Sequence, residues 1–161
     1  MTTQLSQSNR DHPQMTTLKK PSRTLQLAAV YNLLWGAVVV LLPEKSFHWA
    51  GFDEPALYPQ LWQCIGMIVG VYGIGYGIAA YDYIRHWPIV LVGLLGKIFG
   101  PIGFLQAALA GDLPWTMFRC IVFNDLIWWI PFGVILWRCY QQASEDKSID
   151  ESNLIEPPAS H

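Results

Sequence analysis

Charge is scarce in this chain. Only 22 of its 161 residues are Asp, Glu, Lys or Arg, which is 14%, against roughly 25% in an average soluble domain. Eleven of those charges sit in residues 1–23 and 141–161, and the other eleven are spread over the 117 positions between. A block so poor in charge is not a water-soluble domain. The net charge is −2, so the basic surface of a nucleic-acid binder is missing as well. Cysteine is equally sparse. Cys64, Cys120 and Cys139 are the three, with no C-x-x-C and no zinc-like spacing, which excludes a disulfide scaffold and a zinc site of ordinary pattern. Neither G-x-S-x-G nor H-E-x-x-H occurs, so familiar hydrolase and metalloprotease chemistry is absent too. The residues point to no catalytic group, no metal and no particular cofactor.

What remains is an integral membrane protein. Hydrophobic residues are 52% of the chain, with eight tryptophans. About 20 helical residues cross the roughly 30 Å of bilayer hydrocarbon. Residues 25–42, 61–81, 88–110 and 115–137 approach or exceed that length. Their lengths suit helices rather than barrel strands of about ten residues. The expected fold is all-α, an antiparallel four-helix transmembrane bundle over residues 24–140. The tails 1–23 and 141–161 lack apolar periodicity and read as disordered, the second acidic. The first apolar segment reads as a retained helix rather than a signal peptide, because its polar lead is long and no A-x-A site follows. Residues 43–60 are aromatic and fit a turn or short helix at headgroup level.

Basic residues set the orientation. Arg10, Lys19, Lys20, Arg23, Arg85, Arg138 and Lys147 fall on one side of this topology, and Lys45 alone on the other. Both termini are therefore expected in the cytoplasm, with the chain in a bacterial inner membrane. The implied partners are the lipid bilayer and a homo-oligomer or other membrane protein.

Two glycine stripes stand out. Gly66, Gly70, Gly73 and Gly77 share one helical face, as do Gly93, Gly96, Gly100 and Gly103. Small residues let helix backbones approach closely in lipid, and the two stripes are expected to face each other across the short 82–87 connection. Pro101 and Pro131 interrupt their helices and bare the carbonyls of Lys97 and Ile127.

The most informative polar residues are Lys97 and Asp125. A charge at the centre of a spanning helix costs roughly 2.5–3.5 kcal/mol on insertion scales. From the inner helix ends Lys97 lies about 13 Å deep and Asp125 about 18 Å, a difference that a lysine stem spans. An ion pair between the last two helices follows, either as a register pin or as a ligand or proton site. Asn32, Asn124, Tyr72 and Tyr76 are candidates to join it. Trp128 and Trp129 are candidates to wall a pocket for a flat apolar ligand such as a quinone, against plain packing.

The strings YNLLWGAVVVLLPE (31–44), LWQCIGMIVGVYGIGYGIAAYD (61–82), HWPIVLVGLLGKIFGPIGF (86–104) and NDLIWWIPF (124–132) resemble a set of small, uncharacterised four-helix bacterial membrane proteins. In general shape the chain is also similar to DoxX-like proteins. Some members of the first set carry the label alkyl hydroperoxide reductase. This chain departs from that label. Pro114, Thr116 and Cys120 have the wrong offsets for P-x-x-x-[ST]-x-x-C, and the two-cysteine centre is missing. The functional expectation is a structural or accessory protein, or one binding a small apolar ligand in the bundle. A membrane redox protein with a quinone or thiol partner, and a proton-coupled transporter, are the alternatives.

Overall fold

The structure, a computed structural model, describes residues 21–155, and among these every regular element is helical. Proline opens several of them, where its missing N–H would have had no helical acceptor anyway. Helix α1 (Arg23–Leu41) is capped by Ser22, whose hydroxyl accepts from the Leu25 N–H. The short α2 (Pro43–Trp49) and the long α3 (Pro59–Tyr81) each begin at a proline. Helix α4 (Trp87–Ala110) ends at Gly111, whose φ of 85° is the left-handed conformation that glycine adopts freely. The fourth spanning helix is composite. A 3-10 turn (Trp115–Met117) leads into α5 (Phe118–Ile121), a π-helical segment (Val122–Leu126), and α6 (Ile127–Ile155).

Among the described residues four helices are long and apolar enough to cross a membrane. They turn large apolar side chains outward, including Leu27, Ile68, Phe99 and Ile130 at 65%, 57%, 64% and 80% exposure. Such faces require lipid rather than water. The chain is an all-α, multi-pass membrane protein.

Contacts define how the helices run. Gly36 and Val39 of α1 meet Gly66 of α3, while Ala29 meets Gly73 and the Ser22 N–H donates to the Ala80 carbonyl at 2.8 Å. Helices α1 and α3 are thus antiparallel. Tyr76 over Gly93 and Tyr72 beside Gly96 give the same sense for α3 and α4. Lys97 level with Asp125, and Phe104 level with Phe118, give it for α4 and the fourth helix. The start of α1, the 82–86 connection and Cys139 meet at one end, where the Cys139 Sγ donates to the Tyr83 carbonyl. At the other end α2 folds back on α3, and Trp62 donates its indole N–H to Ser46 at 2.9 Å. Gly51, with φ 109°, brings its backbone against Thr116, whose hydroxyl donates to the Gly51 carbonyl.

Two expectations are corrected. The glycine stripes do not face each other. Gly66 and Gly73 pack on α1, and a Cβ on Gly36 would sit 2.6 Å from the Gly66 carbonyl oxygen. On α4, Gly93 lies beneath the Tyr76 ring and Gly103 faces open space. Tyrosines 72 and 76 occupy the α3–α4 side, so close backbone approach belongs to α1 and α3. The second correction concerns 141–155, expected without regular structure. Residues 141–155 continue α6, exposed from Ala143 to Ile149, with an i,i+4 pair of Lys147 and Glu151 at 3.9 Å. From Trp115 to Ile149 the helix holds 35 residues, about 50 Å at 1.5 Å per residue, so its end stands clear of the hydrocarbon. The rest of the expected tails, 1–20 and 156–161, lies outside the described residues.

Backbone contact at Gly36 makes it the sensitive glycine. Gly36→Ala should lower stability by about 1–3 kcal/mol, the usual cost of overpacking, whereas Gly103→Ala should be nearly neutral. Denaturant unfolding of the detergent-solubilised protein distinguishes the two.

Candidate functional site: a polar cavity at mid-membrane

Lys97 and Asp125 meet in the middle of the bundle. Their side chains are 5% and 8% exposed as residues, and Lys97 Nζ lies 3.6 Å from Asp125 Oδ1. The ammonium also donates to the Asn124 carbonyl at 2.5 Å. Asn124 Nδ2 in turn donates to Asp125 Oδ1 at 3.1 Å. Both of these last residues sit on the π-helical segment, a local widening of the helix that recurs at functional sites.

Pro101 contributes from a distance. Its ring removes the N–H that would bond the Lys97 carbonyl, and the Trp129 indole N–H donates to that carbonyl at 2.8 Å instead. Residue 97 is therefore held twice, by its side chain and by its backbone, both times against the fourth helix.

These groups line a cavity of about 220 Å³. Asn32 enters from α1, Tyr72 and Tyr76 from α3, Lys97 from α4, and Asn124 and Asp125 from the π segment. Gly93, Gly96 and Gly100 form one wall, where missing side chains leave the room. Asn32 is 2% exposed and spends its amide N–H on the Ala28 carbonyl of its own helix at 2.7 Å. Asn124 Oδ1 is buried without a hydrogen-bond partner, an acceptor left for whatever occupies the space. Chemically, the cavity offers a compensated ion pair, one open acceptor and two phenol groups.

Six of the eight candidates named from the sequence thus converge: Lys97, Asp125, Asn124, Asn32, Tyr72 and Tyr76. Trp128 does not join them. It packs in the apolar core against Tyr31 and Phe132, with ring centroids 5.8 and 5.9 Å away, and its indole N–H is buried without a partner. A wall for a flat ligand is not what Trp128 provides. Its neighbour Trp129 reaches the site instead, through its hydrogen bond to the Lys97 carbonyl. The signal for it was in the sequence as the acceptor bared by Pro101, but the donor's identity was not.

Beside the cavity, between α3 and α4, lies an apolar groove of about 630 Å³ lined by Met67, Val71, Gly75, Pro88, Ile89 and Val92. It shares Ile68 and Tyr72 with the polar cavity. Among the described residues no three His, Cys, Asp or Glu gather closely enough to hold a metal ion. No family model, curated protein or solved structure matches the chain.

Breaking a buried pair strands a charge, so Lys97→Met or Asp125→Leu alone should cost about 3–5 kcal/mol. The Lys97→Met, Asp125→Leu double change should recover most of the folded yield in size-exclusion chromatography. A double variant as poor as either single one would remove the pair as the register pin.

Proposed function

We propose that the chain is a small bacterial inner-membrane protein that binds a small, largely apolar molecule with one polar end inside its bundle. The observation that carries this reading is the convergence of polar side chains from all four spanning helices on one cavity in an otherwise apolar interior. Polar groups in lipid are costly to place, and register alone needs only one pair. The apolar groove beside Tyr72 supplies the rest. A ligand arriving from the bilayer lays its apolar part along α3 and α4 and turns its polar end towards Asn124 and the Lys97–Asp125 pair. Kinship with the four-helix bacterial proteins noted above is part of the same proposal, as is a cytoplasmic location for both termini.

Gly96→Val tests the ligand reading, since a Cβ there meets only the Tyr72 hydroxyl at 3.9 Å and the added methyls fill the cavity. Mass spectrometry of solvent extracts should find a near-stoichiometric small amphiphile with the purified protein. The variant should lack it while melting at the same temperature. Equal amounts with both proteins, or none with either, would sink the proposal.

Orientation has its own check. In a chain with its three cysteines changed to serine, Ser148→Cys should resist an impermeant maleimide until the inner membrane is opened. Ala56→Cys should react in spheroplasts. The reverse pattern would overturn the charge-based topology.

A further inference from the structure

At the end of the bundle where α1 begins and α6 leaves the apolar region, a separate cavity of about 360 Å³ opens. Ser22, Arg23, Thr24 and Arg138 make its polar and basic lining, and Pro131 and Val134 are among its apolar residues. Among the described residues no acidic side chain lines it. Neither arginine has an ion-pair partner among the described residues. The Ser22 hydroxyl accepts the Leu25 N–H, which leaves its own O–H free to donate. The first turn of α1 adds the positive end of a helix dipole. The polar lining of the cavity therefore presents positive charge and hydrogen-bond donors.

Arginine forks match the oxygen geometry of phosphate. The depth is also marked. Trp137 and Tyr140 flank Arg138, with ring centroids 5.8 Å apart and side chains 61% and 64% exposed, as aromatic residues do at the headgroup level. Pro131 and Val134 lie about one to two helical turns further into the membrane, where an acyl chain would run.

We infer that this cavity is a binding site for an anionic glycerophospholipid, its phosphate between Arg23 and Arg138 and one acyl chain along Pro131 and Val134. A zwitterionic lipid is disfavoured, because its cationic headgroup would face two guanidinium groups with no lining carboxylate to receive it. The site is independent of the mid-membrane cavity and rests on different residues.

Native mass spectrometry of the full chain tests this, using mixed micelles containing phosphatidylglycerol or phosphatidylcholine at equal concentration. Phosphatidylglycerol should be retained about tenfold more than phosphatidylcholine, and Arg23→Gln with Arg138→Gln should remove that preference. Excess inorganic phosphate should not displace the lipid. Equal retention of the two lipids by the unaltered protein would overturn the inference without any variant. So would an undiminished preference in the double variant, and displacement by inorganic phosphate would assign the site to a soluble anion instead.

Discussion

In bilayer hydrocarbon a polar group has no water to turn to, so each must find its partner within the protein. Much of this molecule's centre follows from that constraint. Pro101 strips a donor from the Lys97 carbonyl, and the Trp129 indole fills the place at 2.8 Å. The Lys97 ammonium needs acceptors and finds the Asn124 carbonyl and the Asp125 carboxylate. One lysine thereby ties α4 to the π segment with its side chain and to α6 with its backbone. Polar satisfaction at Lys97 thus acts on the register of the last two spanning helices beside the apolar packing of Phe104 on Phe118.

The other half of the bundle is joined by a different force. Helices α1 and α3 approach through glycine, closely enough that a single methyl on Gly36 would strike the Gly66 carbonyl. Dispersion contacts of this kind are what lipid leaves available to apolar helices. Between these two tight pairs, Tyr72 and Tyr76 hold α3 off α4, and glycines 93, 96 and 100 do not fill the gap. The mid-membrane cavity exists because one helix pair is closed by small residues and the other is spaced by aromatic ones. The apolar groove outside it has the same origin, which is why both share Tyr72.

Lys97 and Asp125 were legible in the sequence because a charge inside an apolar run stands out, and counting residues from the helix ends set them at similar depths. The spans were legible for the same reason of composition. Glycine periodicity, by contrast, identified faces without naming the neighbours they meet, and the stripe of α3 turned out to serve α1. Trp128 was open to two readings, packing and a pocket wall, and it packs in the apolar core. Adjacent helical residues point about 100° apart, and the π segment at Val122–Leu126 adds a further offset just before the tryptophans. No regular 3.6-residue count anticipates that shift. The helix beyond residue 140 was hidden because a polar, charged composition is shared by disordered tails and exposed helices.

By itself the sequence determined that this protein has four helices long and apolar enough to span a membrane, where the first three begin and end to within a few residues, and which two charges stand deep inside apolar runs. Those properties follow from transfer free energies, which act residue by residue and need no knowledge of neighbours. The tertiary structure decided which helices touch, which tryptophan answers the proline, and that polar groups from four helices enclose a space rather than fill one. Those outcomes depend on shape, and shape is a property of pairs of surfaces that a linear pattern does not contain.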